Sequence, residues 1–76
     1  MLESRQMRRI PVQSSMLKSV GYDPATATLE VEFHDATVYQ YYGVPAIVHR
    51  DLLAAPSIGQ YFAFFIKTSF RCERTA

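Results

Sequence analysis

The spacing of apolar positions changes once along this chain of 76 residues. Between Met16 and Tyr42 apolar side chains tend to recur at every second position, the period of a strand. Beyond Pro45 they recur at every third or fourth, the period of a helix. The stretch Val38-Tyr39-Gln40-Tyr41-Tyr42-Gly43-Val44-Pro45 is the pivot. Its Tyr-x-Tyr spacing gives the last strand a face, and Gly43 with Pro45 marks the switch.

Thr28 to Phe33 is the clearest strand: Leu29, Val31 and Phe33 alternate with Glu30 and Glu32, as in a half-buried antiparallel strand. Met16 to Tyr22 alternates imperfectly, and Gly21 predicts a bulge or a close backbone approach. Asp23-Pro24-Ala25-Thr26-Ala27 is a turn between them. Proline fixes its own φ there, and the Asp23 carboxylate can bond nearby N–H groups.

His34-Asp35-Ala36-Thr37 must reverse the chain, and the loop length decides which face the tyrosines take. A two-residue loop at Asp35-Ala36 sets Phe33 opposite Val38 and exposes Tyr39 and Tyr41. A three-residue loop from His34 to Ala36 sets Val31 opposite Tyr39 and Leu29 opposite Tyr41, which joins the tyrosines to the core. The second keeps one face uniformly apolar and is preferred. It demands a left-handed Ala36, at a cost of about 1 kcal/mol relative to glycine.

Pro45 suits a helix start, and Val44, Val48, Leu52 and Ala55 share a stripe. Pro56 stops that helix near Ala54 or Ala55. Ser57-Ile58-Gly59-Gln60 has the capping-box spacing, so a second helix is expected from about Ile58 to Arg71. On its wheel Ile58, Tyr61, Phe62, Phe65, Ile66, Ser69, Phe70 and Cys72 form the inner half. Phe64, Lys67, Arg71 and Arg74 gather opposite. An exposed aromatic beside aligned cations is the combination used by single-stranded nucleic-acid sites. The alternative is a solvated basic face at a helix C-terminus, with Phe64 packed under the N-terminal arm, against the first helix or across a dimer contact.

Composition narrows the class. With 49% hydrophobic and ten aromatic residues, a chain this short can build one core without disulfide or metal. The net charge of +1 is unevenly spread. Residues 1–20 carry Arg5, Arg8, Arg9 and Lys18 against Glu3, a balance of +3. Residues 21–60 balance to −4 and residues 61–76 to +2. Cys72 is the single cysteine; this excludes an internal disulfide, argues against a cysteine metal site and fits the reducing cytoplasm. The basic N-terminus has no apolar run after it to make a secretory signal. The apolar run at Tyr61 to Ile66 is too short for a bilayer.

Chemical constellations are sparse. His34 and His49 lack ligand spacing, and His34 reads as a turn residue. Ser14, Ser15, Ser57 and Ser69 have no nucleophile-elbow context; Ser14-Ser15 can close a turn or offer hydroxyls to a phosphate. Cys72 reads as a packed or fraying position beside Arg71. Glu30 and Glu32 share a strand face, as paired catalytic carboxylates do, and as the outer face of any antiparallel sheet does. No phosphate-cradling glycine loop occurs.

Three groups of residues form one pattern. The first is Val12-x-Ser14-Ser15, Val20-Gly21-Tyr22-Asp23 and Leu29-x-Val31-x-Phe33. The second is Tyr39-x-Tyr41-x-x-Val44-Pro45. The third is Leu52-Leu53-x-Ala55-x-Ser57-x-Gly59-x-Tyr61-Phe62 with Ile66-Lys67. Together these groups resemble the KTSC domain, and the resemblance runs from about Val12 to Phe70. Domains of this kind stand alone or end some lysyl-tRNA synthetases, so what the resemblance implies for function is RNA binding by association. The family's hairpin often reads Asn-Gly where this chain has Asp35-Ala36, and Phe64 is outside the shared pattern.

The expectation is therefore an α+β domain: a three-stranded antiparallel meander followed by two helices, the longer packed on one sheet face. In it Phe62, Phe65, Ile66 and Phe70 would cover Leu29, Val31 and Phe33. Residues 1–11 form a basic N-terminal arm that is mobile or joins the fold at Ile10-Pro11-Val12. Residues 12–72 form the domain and residues 73–76 a tail. The expected function is non-catalytic RNA binding. Lys67, Arg71, Arg74, Arg8 and Arg9 would meet phosphates, and Phe64, Tyr39 and Tyr41 would stack on bases. A protein-interaction module or homodimer using exposed aromatics is the alternative. No cofactor, metal or membrane is expected.

Overall fold

The computed structural model describes residues 7–76. Arg5, assigned above to the arm, lies outside the described residues. Five strands form one antiparallel sheet in chain order: β1 (Arg9–Pro11), β2 (Leu17–Asp23), β3 (Thr28–Phe33), β4 (Val38–Tyr42) and β5 (Arg71–Arg74). Between β4 and β5 the chain forms α1 (Ala46–Ala54), α2 (Ile58–Tyr61) and a π-helical turn at Phe62–Ile66.

The expected three-stranded meander is β2, β3 and β4, and the sheet extends beyond it at both edges. Arg9–Pro11 pairs with β2, and Arg71–Arg74 pairs with β4. These edge strands are short, and β5 is exposed throughout. No buried face imposes a period of two on them, so their sequence does not alternate.

The hairpin from β3 to β4 adopts the three-residue loop, with Val31 opposite Tyr39 and Leu29 opposite Tyr41. Phe33 and Thr37 close it (2.9 Å), and Ala36 is left-handed at φ 73°. The Asp35 carboxylate accepts from both the Thr37 amide (3.0 Å) and hydroxyl (2.7 Å). That hydroxyl bond, followed by the amide bond, holds the Asp35 carboxyl below its usual range.

β2 departs from alternation through a register shift between Leu17 and Ser19. The extra residue lets Leu17 and Val20 both face the core. Gly21 has the other role considered above, close approach: a Cβ there would lie 2.7 Å from the Arg8 carbonyl oxygen. The chain leading into β1 crosses at that point.

α1 starts after Pro45 and ends before Pro56, as its spacing requires. Val44 and Leu52 are fully buried. Tyr22 reaches across from β2 to donate to the Val44 carbonyl (2.6 Å) and stacks on His49 at 4.6 Å. Ser57 caps α2 by accepting from the Gln60 amide (3.3 Å).

The second helix does not continue to Arg71. The Lys67 amide donates to the Phe62 carbonyl (2.9 Å), five residues back. One residue more than an α-turn is accommodated, so Phe62 and Ile66 are both buried while Phe65 turns outward. The expectation that Phe65 packs inside is corrected by this change of phase. Phe70 packs at the edge of the core, and the chain then turns into β5. The core holds Leu17, Val20, Leu29, Val31, Tyr41, Val44, Leu52, Phe62 and Ile66. Each such large apolar side chain contributes about 1.5–3 kcal/mol on burial.

Candidate functional site

Directly opposed residues of neighbouring strands share a face. Tyr39 and Tyr41 therefore present the same face as their β5 partners Arg74 and Cys72, and this is the face the helices cover. Phe33, Tyr39, Tyr41 and Phe62 floor a cavity of about 450 Å³ there, with Lys67 and Cys72 also in its lining. The rings lock one another edge to face. Phe33 meets Tyr39 at 5.8 Å and Phe62 at 5.7 Å, and Tyr41 meets Phe62 at 5.4 Å. Such contacts add about 0.5–1.5 kcal/mol each beyond area, so each ring helps to fix the orientation of its neighbours.

Burial, followed by the neighbouring Cys72, pushes the Tyr41 hydroxyl up to about 12. It remains a neutral donor at physiological pH. The cavity thus offers aromatic surface, phenolic hydroxyls and one ammonium group, and among the described residues no carboxylate lines it. That suits a flat ring attached to an anion.

The expected row of Lys67, Arg71 and Arg74 does not form, because the helix ends before Arg71. Lys67 follows the π-turn, and the two arginines lie in β5. Arg74 opposes Tyr39, with its Nε donating to the Ala76 carbonyl oxygen (2.9 Å). Arg71 opposes Tyr42 and belongs to the other face. The structure therefore brings Lys67 and Arg74 to the tyrosine face and separates Arg71 from them.

Phe64 is 74% exposed and Phe65 58%. Phe65 leans on Tyr61 at 4.8 Å. Phe64 lines a second cleft of about 410 Å³, together with Ser14, Ser15, Ser57 and Gln60. Ser14 closes its own turn, its Oγ accepting from the amides of Met16 (3.1 Å) and Leu17 (3.2 Å). The His34 ring donates to the Ser14 carbonyl (2.8 Å), tying the hairpin loop to this turn.

On the helix-free face a chain of polar side chains crosses all five strands. Arg9 pairs with Glu30 and donates to Ser19 (3.1 Å), and Ser19 donates to Glu32 (2.8 Å). The Gln40 amide donates to Glu30 (2.8 Å), and Tyr42 donates to Glu73 (2.9 Å) with Gln40 Oε1 3.3 Å away. Glu30 is only 6% exposed, and Arg9 and Gln40 both hold its carboxylate. Arg9 and the two glutamates are thereby committed to structure. Arg8 lines a separate depression beside Tyr22 and Asp23.

Among the described residues, no group of three or more His, Cys, Asp and Glu is placed to hold a metal. No helix among them is long and apolar enough to cross a membrane. Tyr39, Tyr41 and Lys67 were legible as site candidates. Phe33 and Phe62 read as core, Met16 as strand and Cys72 as helix; only the tertiary gap between β4, β5 and the π-turn gathers them.

Residues 13–70 match the KTSC domain family. A crystal structure of a KTSC domain protein from Yersinia pestis superposes with a TM-score of 0.89 at 41% identity. The superposition covers 93% of this chain and 100% of that one. An uncharacterised protein of Stutzerimonas stutzeri is 48% identical over 56 residues, 74% of this chain and 79% of that protein. A lysine–tRNA ligase of a Nostoc species is 44% identical over 62 residues. That match takes in 82% of this chain but spans only 11% of the ligase. With its signature residues placed in one fold and the match running from Gln13 to Phe70, the chain belongs to the KTSC domain family.

Proposed function

We propose that this chain is a non-catalytic module that binds single-stranded RNA on its tyrosine face. The observation that carries this reading is the aromatic cavity with Lys67 in its lining and, among the described residues, no carboxylate. A base inserts against the rings, and Lys67 with Arg74 meets the adjoining phosphates. The similarity to part of a lysine–tRNA ligase supports the same reading, since that enzyme's name makes a tRNA its substrate.

The test is fluorescence anisotropy of a labelled single-stranded oligoribonucleotide across a salt series. Two phosphate contacts predict a slope of log affinity against log salt of about −1.4. Lys67→Glu with Arg74→Glu lowers affinity strongly, whereas Arg71→Glu, on the other face, lowers it less. No measurable binding at low salt refutes the reading.

A second reading, protein interaction or self-association, is favoured by one observation: the π-turn leaves Phe64 and Phe65 side by side and exposed. Adjacent exposed aromatics mark contact surfaces. Sedimentation of wild type and Phe64→Ser checks it. A wild-type monomer unaffected by the substitution removes it.

A further inference from the structure

Met16 lines both the aromatic cavity and the cleft beside Phe64, so the two lie on either side of one side chain. Met16 is itself 39% exposed. The cleft differs in chemistry from the cavity. Among the described residues no charged side chain lines it; the serines Ser14, Ser15 and Ser57, the carboxamide residues Gln13 and Gln60, and Phe64 do. A carboxamide donates and accepts at once, so it can pair with the edge of a base lying on an aromatic platform. Gly59 keeps this cleft narrow: a Cβ there would stand 3.2 Å from Ser14 Oγ and 3.4 Å from Met16 Cβ.

We infer that the cavity and the cleft form one track that seats two consecutive nucleotides, and this rests on the RNA reading above. The first base enters among Phe33, Tyr39 and Tyr41. The chain passes over Met16, with its phosphate toward Lys67. The second base lies on Phe64, its edge toward Gln60 and the serine hydroxyls. A flexible apolar thioether is a suitable divider, since it adapts to either ring without imposing hydrogen bonds.

The experiment is an NMR titration of the full chain at low salt with three probes: uridine 5′-monophosphate, 5′-phosphorylated diuridylate and decauridylate. Stacking of a second base predicts that the dinucleotide binds about tenfold tighter than the mononucleotide. Phe64→Ala removes that gain. Lys67→Gln weakens both. Phe64 is exposed, so its variant folds.

A dinucleotide no tighter than the mononucleotide overturns the track, as does a Phe64→Ala variant that retains the gain. In either case, decauridylate that still binds leaves the RNA reading standing. Failure of decauridylate to bind refutes both. A Phe64→Ala variant that alters sedimentation while the gain persists assigns the ring to self-association and overturns the track.

Discussion

Exchanging single residues in the β3–β4 loop tests the register that gives the tyrosines their face. In the three-residue loop only Ala36 is left-handed, at φ 73°, and Asp35 is not. In a two-residue loop of the common primed type I, both Asp35 and Ala36 would need positive φ. The left-handed region costs an L-residue about 1–2 kcal/mol, which glycine avoids. Glycine returns about 0.5–1 kcal/mol of this through the entropy of the unfolded chain. Ala36→Gly is therefore expected to stabilise by about 0.5–1 kcal/mol, or roughly 4 °C in Tm for a domain of this size. Asp35→Gly has the opposite sign, because it deletes both bonds from Thr37 and relieves no strain. Urea denaturation of the two variants decides the matter. Stabilisation by both glycines, or destabilisation by Ala36→Gly, refutes the register and with it the placement of Tyr39 and Tyr41 on the cavity floor.

Other consequences can be checked with the same protein. Gly21→Ala forces a Cβ against the Arg8 carbonyl oxygen and should cost about 1–3 kcal/mol. Hydrogen exchange should show Arg9 and Ile10 losing protection first; an unchanged variant rejects the crossing. Phe62→Ala should cost about 3–5 kcal/mol and Phe65→Ser less than about 0.5 kcal/mol, by thermal or chemical melts. Equal costs would mean that the π-turn does not turn Phe65 out. Because Tyr41 is raised from 10.0 to about 12, its contribution to stability is complete below pH 10 and is lost as pH rises toward 12. Absorbance titration should show a tyrosine ionising near 12 that Tyr41→Phe removes; a high-pH titration unchanged by Tyr41→Phe contradicts its burial.

What the sequence made legible follows from periodic burial. β3 alternates because its core face is buried and the other carries glutamates, and Tyr39 and Tyr41 then fall into register by demanding one apolar face. Pro45, Pro56 and Ser57 marked helix limits through local backbone chemistry. β1 and β5 escaped because an exposed edge strand has no period to read. The π-turn escaped for a different reason. Ala63-Phe64-Phe65 carries no sign of an added residue per turn, so a wheel drawn at the α-helical angle places Phe65 inside and aligns Lys67 with Arg71. The candidate site was half visible. Its tyrosines and lysine stood out by type, while Phe33, Phe62 and Met16 looked like ordinary core and strand positions until distant segments met.

The order β1-β2-β3-β4-β5 puts the chain's entry and exit on opposite borders of the sheet. Four inter-strand spacings separate them, roughly 19 Å. Tension applied through flanking polypeptide would therefore load the outer strands first and strip them one backbone bond at a time. β1 and β5 would yield while β2 to β4, carrying most of the strand contribution to the core, stayed closed. Arg9, Arg71, Cys72 and Arg74 leave with those borders. A mechanical pull would accordingly take Arg74 and Cys72 from the tyrosine face, and Arg9 and Arg71 from the opposite face, before it disturbed Tyr39 and Tyr41 themselves.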